Sequence, residues 1–166
     1  MRISPISFKS NSFVNFNYSS TPTYNSVSNN TKTNLPQFNK DLKYNEEKAN
    51  NLANDVKNNA ESQSTGYCAK YVSDAISRTG LGIISGHAYQ CADSLRSDSN
   101  FKEIKVAGED LKALPAGFVI VYDRGAAGYS ADYGHVEVTL GDGRAASDFV
   151  NNDIKASDKV SVFVPV

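Results

Sequence analysis

The apolar pattern of this chain changes period once, near residue 100, and that change limits the folds open to it. Before it, apolar residues recur with helical spacing. Leu42, Ala49, Leu52, Ala53 and Val56 share one stripe of a helix expected over 41–60, with Asp41 as its cap. Its many asparagines weaken its own propensity, so packing must hold it. Cys68 opens a second helical run, in which Val72, Ala75, Ile76 and Thr79 make one face and Gly80 is the stop. A short third helix is expected over 87–95. After residue 100 the chain reads as strands, at 101–106, 118–122, 133–140, 144–150 and 160–164. Helices first and an antiparallel sheet of about five strands after make an α+β fold.

Cys68 stands where a helix begins, in Ser64-Thr65-Gly66-Tyr67-Cys68-Ala69-Lys70-Tyr71-Val72, with Thr65 or Gly66 as the expected cap. The first turn of a helix carries unpaired N–H groups and the positive end of the dipole. Such sites can lower a cysteine pKa from about 8.5 to roughly 3.5–7.5. A thiolate is a nucleophile, and a nucleophile calls for a base.

The chain has two histidines. His135 lies in Tyr133-Gly134-His135-Val136-Glu137-Val138-Thr139-Leu140, which alternates as a strand does and places His135, Glu137 and Thr139 on one face. Read alone it is a structural strand histidine. Read with Cys68 it is the expected base, because a cysteine opening a helix and a later histidine on a strand need meet only in space. His87, at the start of the short third helix, is the competing base.

A base histidine works best when a third group fixes its tautomer. The strand returning from Gly141-Asp142-Gly143 offers Ser147 and Asp148. A two-residue loop pairs Glu137 with Asp148 and puts Asp148 on the His135 face. A three-residue loop with a glycine bulge pairs Glu137 with Ser147 and turns Asp148 away. Asp148 is the expected orienter, because a carboxylate stabilises imidazolium better than a hydroxyl does. Glu137 is a further candidate, or else lines the cleft. The loop 125–131, with Tyr129 and Tyr133, could wall that cleft or be an ordinary mobile loop.

Of 166 residues, 1–40 are rich in Asn, Ser and Thr, contain Pro5, Pro22 and Pro36, and show no period. They are expected to be a disordered extension, with the folded domain at 41–166. Lys+Arg 17 against Asp+Glu 18 gives no field for nucleic acid or anionic lipid. No apolar run approaches the ~20 residues of a membrane span. Residues 1–23 do not make a signal peptide, so the chain is expected to be made in the cytoplasm. Two cysteines are no disulfide framework, and Cys91 reads as a small buried residue. Two distant histidines do not suggest zinc, and Gly80-Leu81-Gly82 lacks the rest of a phosphate-binding loop.

The run Gly66-Tyr67-Cys68-Ala69-Lys70-Tyr71-Val72, with Ala75-Ile76 and Thr79-Gly80, resembles the cysteine helix of CHAP domains, the cysteine- and histidine-dependent amidohydrolases/peptidases. Gly134-His135-Val136-Glu137-Val138, the Gly141-Asp142-Gly143 turn and Ser147-Asp148-Phe149 resemble the histidine hairpin of the same group, and are most similar to bacterial amidase toxins and lysins. Leu114-Pro115-Ala116-Gly117-Phe118 resembles the strand before that hairpin, with Phe118 where an aspartate is usual. The resemblance covers roughly residues 44–166. It implies a papain-like (CHAP-type) fold and hydrolysis of amide bonds in the peptide part of bacterial cell wall. Cys68 would be nucleophile, His135 base and Asp148 orienter, although related enzymes often place the third residue where Ser147 falls. No cofactor is needed for such acyl transfer, and none is expected. The expected partner is the peptidoglycan stem peptide, together with an immunity or delivery protein if the chain is a toxin. Nucleic acid and membrane are not expected, and the chain is expected to be a monomer acting on the wall outside the cell or in the periplasm. The alternatives are a papain-like protease or deamidase acting on a protein target, and a peptide- or wall-binding module with an idle dyad.

Overall fold

The computed structural model describes residues 42–166. The expected extension, 1–40, lies outside the described residues, and so does Asp41. Helix α1 is Glu46–Asn59 and is capped by Asn45, whose side chain accepts the Lys48 N–H at 3.0 Å. Glu46 and Glu47 sit in its first turn and Lys57 in its last, both favourable to the helix dipole. The helix therefore begins later than expected. Ala49, Leu52, Ala53 and Val56 form its buried stripe, while Leu42 precedes the helix and packs elsewhere.

Helix α2 is Cys68–Arg78 and buries Val72, Ala75 and Ile76. It ends where Gly80 takes a positive φ of 72° and the Leu81 N–H returns to the Ile76 carbonyl at 2.9 Å. A short 3-10 turn, Ala88–Gln90, leads into α3, Cys91–Ser97.

Six antiparallel strands follow: β1 Phe101–Ile104, β2 Val119–Tyr122, β3 His135–Thr139, β4 Ala145–Ala146, β5 Val150–Asn151 and β6 Val160–Pro165. Their order across the sheet is β1-β6-β2-β3-β4-β5. Side chains alternate between its faces. Val119, Val121, Val136, Val138 and Phe163 pack with the residues of α1, α2 and α3. Ile120, Tyr122, Val162 and Val164 point the other way, onto Leu111, Leu114 and Ile154, where Leu42 and Tyr44 also pack. Both faces are therefore covered, and β2 is buried along its whole length.

The returning strand expected at 144–150 is not one strand. The chain pairs with β3 through Val138↔Ala146 and Thr139↔Ala145, then doubles back so that Ala145 pairs Asn151 and Ala146 pairs Val150. The reversal falls at Ser147, Asp148 and Phe149, where the Ser147 N–H donates to the Phe149 carbonyl at 3.0 Å. Among the described residues no helix is long and apolar enough to cross a membrane.

Ile76 is fully buried on α2 among core residues of both layers. Ile76→Ala should cost about 2–5 kcal/mol of stability, the range for truncating a buried aliphatic side chain. Urea unfolding of the two proteins checks it, with a lower midpoint at unchanged slope expected.

Candidate active site

His135 is the first residue of β3. Gly134 before it has φ 65°, and a Cβ there would run into the Tyr122 carbonyl oxygen. Only glycine lets the chain enter the strand at this point. The β2–β3 register pairs Ile120 with Glu137 and Tyr122 with His135, so these four share a face.

The His135 ring is 7% exposed and its Nε2 lies 3.3 Å from Glu137 Oε2. Glu137 is fully buried and has further partners. Tyr122 Oη lies 3.2 Å from its Oε1, and the Asn151 amide donates to its Oε2 at 3.1 Å. The single Tyr122 Oη hydrogen is shared between Glu137 Oε1 and the Lys155 carbonyl at 2.9 Å. Tyr129 stacks on His135 with centroids 4.1 Å apart and planes 18° apart. Burial opposes a charge on His135. Cys68 and Glu137, each an acceptor and each negative when ionised, outweigh it and raise the imidazole from its ordinary 6.5 to about 9. With Nε2 turned to Glu137, Nδ1 makes no hydrogen bond to another side chain among the described residues.

Cys68 is half-buried at the first position of α2, which packs on β3. The helix has no side-chain cap of its own, neither from Tyr67 nor from Thr65 or Gly66. Asp148 supplies the anchor. Its Oδ2 accepts from the N–H groups of Thr65 at 2.6 Å, Gly66 at 2.8 Å and Tyr67 at 3.3 Å. The Ser64 and Thr65 hydroxyls add bonds at 3.0 and 3.1 Å, and the Ser147 hydroxyl donates to Oδ1 at 3.0 Å. Burial alone would raise the Asp148 carboxyl, but these donors hold it below its ordinary value of 3.8.

This corrects the expected placement of Asp148. The loop joining β3 to β4 has three residues, Gly141 to Gly143, closed by the Leu140 N–H on the Arg144 carbonyl at 2.8 Å. One step beyond the paired Val138 and Ala146, Ser147 falls opposite Glu137. That is the bulged register, and it turns Asp148 toward the loop before Cys68. No hydrogen bond or ion pair joins Asp148 to His135 among the described residues, and Ser147 bonds to Asp148 instead of the ring. The carboxylate that meets His135 is Glu137. A second expectation changes with it: the N–H groups of 65–67 are engaged by Asp148, while those of Cys68, Ala69 and Lys70 make no hydrogen bond among the described residues.

No protein-family model matches the sequence, and no curated protein matches it. Among solved structures, a chain of the type VI native effector–immunity complex Tae3–Tai3 from Ralstonia pickettii shares the fold, with a TM-score of 0.56 and 23% identity over 71% of this chain and 98% of that one. The selenomethionine form of that complex matches over 60% of this chain and 80% of its own, with a TM-score of 0.48 and 29% identity. The fold is α+β and papain-like.

The remaining residues frame this pair. A cavity of about 330 Å³ opens beside Cys68, walled by Tyr67, His87 and Tyr133. His87 packs against Tyr133 with centroids 4.9 Å apart and planes inclined by 43°, so the competing histidine is part of the cleft wall. Tyr133 joins that wall as expected, whereas Tyr129 covers His135. Cys91 is a free, buried thiol, pushed up to about 12 chiefly by burial, with the charge of Cys68 adding to it. Among the described residues no cluster of three or more His, Cys, Asp or Glu side chains is placed to hold a metal ion. Sequence reading missed Tyr122 and Asn151, because neither stands in a motif with Cys68 or His135.

Stability should carry both titrations. Asp148 has a depressed folded pKa, so its contribution is present above 3.8 and is lost as pH falls through the lower folded value. His135 has a raised one, so its contribution is full below 6.5 and is lost as pH rises through about 9. Unfolding midpoints measured across pH should show a larger acid loss in the wild type than in Asp148→Asn, where, among the described residues, only the depressed carboxyls of Glu103 and Asp142 remain. The alkaline loss should be absent from His135→Gln.

Proposed function

We propose that this chain is a cysteine hydrolase that cleaves amide bonds in the peptide part of bacterial peptidoglycan. The observation that carries the reading is the His135 ring, held by Glu137 and acted on by Cys68 at the start of α2. Cys68 is the nucleophile and His135 the base, as the CHAP resemblance implies, with Glu137 in the orienting role that the sequence had offered to Asp148.

The thiolate adds to the carbonyl carbon, and the resulting oxyanion is met by the Cys68 N–H, which Asp148 leaves free. The protonated His135 gives its Nδ1 proton to the leaving amine as the C–N bond breaks. Water then adds to the thioester, His135 takes its proton, and the carboxylic product leaves with the thiol regenerated. Throughout, Glu137 accepts the Nε2 proton bond and keeps Nδ1 toward the sulfur.

The fold shared with a chain of an effector–immunity complex supports the toxin form of this reading. The chain would then be delivered to the wall of a rival, acting as a monomer, while a dedicated immunity protein covers the Cys68 cleft in the producer. Residues 42–166 contain every group in the mechanism, so the catalytic domain is proposed to begin near residue 41.

Digestion of purified peptidoglycan, followed by mass spectrometry of the released muropeptides, tests the activity. New amine and carboxyl ends are expected with the wild type and none with Cys68→Ala or His135→Ala. Full activity in Cys68→Ala would end the hydrolase reading. Cleavage of protein substrates with intact peptidoglycan would move the activity to the protease alternative. A chain beginning at Lys40 is expected to digest peptidoglycan at the rate of the full chain, and a large loss would place part of the catalytic unit earlier in the sequence.

A further inference from the structure

Two side chains fix the His135 ring from outside the thiol: Glu137 at Nε2 and Tyr129 across its face. One residue holds both. The Asn151 Nδ2 group donates to Glu137 Oε2 at 3.1 Å and to Tyr129 Oη at 3.3 Å. A carboxamide nitrogen has two hydrogens, one for each acceptor. The other end of the same amide is also committed, since Asn151 Oδ1 accepts the Asp153 N–H at 3.2 Å. That backbone donor decides which way the amide points, because the reverse orientation would set the NH2 group against an N–H. The backbone of Asn151 is itself fixed, paired with Ala145 between β5 and β4.

We infer that Asn151 is a positioning residue for the Cys68–His135 pair, a latch that locks the carboxylate and the aromatic cover of His135 in one arrangement. The inference rests on the proposed roles of Cys68 and His135, and goes beyond them by assigning what keeps the base in place. Glu137 is fully buried, so water cannot replace a lost partner without opening the site. Without Asn151, Oε2 keeps only the imidazole, and the carboxylate is free to turn toward Tyr122. Tyr129 loses its hydroxyl anchor at the same time, and with it the fixed stacking on the ring. An aspartate of the same size would set a second carboxylate against Glu137, so the position calls for an amide.

The groups that act on His135 are Cys68, Glu137, Tyr122 and Tyr129, with the Lys155 ammonium 4.4 Å from the Tyr129 ring centroid. None of them is altered in Asn151→Ala, which removes only the latch. In the full chain, the His135 titration followed by NMR should move from about 9 toward 6.5 in that variant. The rate of Cys68 alkylation by iodoacetamide, followed against pH, should show its alkaline limb moving the same way. Turnover should fall about 10- to 100-fold, the scale of one hydrogen bond to a charged group, with KM little changed. Tyr129→Phe removes only the hydroxyl end and should move the titration in the same direction by less. The double variant should be no worse than Asn151→Ala alone, because the hydroxyl acts only through the amide.

A folded Asn151→Ala chain with an unmoved His135 titration would overturn the latch. So would losses that multiply in the double variant. If Asn151→Ala does not fold, an unmoved titration in Tyr129→Phe overturns it equally. A titration that moves as expected in a protein that leaves peptidoglycan uncut would keep the latch and remove the substrate.

Discussion

One buried carboxylate organises two parts of this molecule that are eighty residues apart in the chain. Asp148 gathers three successive N–H groups and two hydroxyls from residues 64–67, and its own carbonyl accepts the Glu61 N–H at 2.8 Å. A buried charge is tolerable only when it is this fully bonded. To face that loop, the chain must leave the sheet at Ser147 and return at Val150. The same excursion that fixes the start of α2 therefore creates β5, and β5 is what brings Asn151 beside Glu137. The start of α2, which carries Cys68, and the supports of His135 are set by a single anchoring charge that bonds to neither side chain.

That anchor also redistributes the electrostatics of the cleft. The three N–H groups just before Cys68 already serve an anion. Here they face a permanent resident, Asp148. The N–H groups of Cys68, Ala69 and Lys70 stay unbonded among the described residues, and the charge of the His135 ring is favoured by Glu137. Two carboxylates thus divide the work, one shaping the loop that carries the sulfur and the other favouring the charged ring.

Much of this was legible in the residues. The stripes Ala49-Leu52-Ala53-Val56 and Val72-Ala75-Ile76 are buried as their spacing predicts, and strands stand near all five expected places. Cys68 opens α2 and His135 opens β3, because a helix start and a strand start are both marked by local signals. What was not legible depends on tertiary structure. Gly141-Asp142-Gly143 accepts a two-residue or a three-residue loop, and one residue of register exchanges the faces of Ser147 and Asp148. Asn45 caps α1, whose start the sequence places four residues too early because aspartate and asparagine both serve as caps. Asn151 sits in Val150-Asn151-Asn152-Asp153, a run that carries no period and no motif. Its value comes from a strand reversal that no local pattern announces.

Side-chain length explains why Glu137, and not an aspartate, can meet His135 from its own strand. Residues i and i+2 of a strand share a face but stand about 6.5–7 Å apart along it. A carboxylate two positions from a histidine must lean along the strand to reach the ring. Glutamate has the extra methylene for that reach, and Glu137 Oε2 arrives 3.3 Å from Nε2. The cost is a longer, more mobile side chain, with one more rotatable bond to fix than an aspartate would have. The surroundings supply that restraint from both oxygens, with Tyr122 on Oε1 and Asn151 on Oε2. An acid borrowed from the neighbouring strand would have needed no such support, but in this register the neighbouring strand presents Ser147, and its acid is already engaged in holding Cys68 in place.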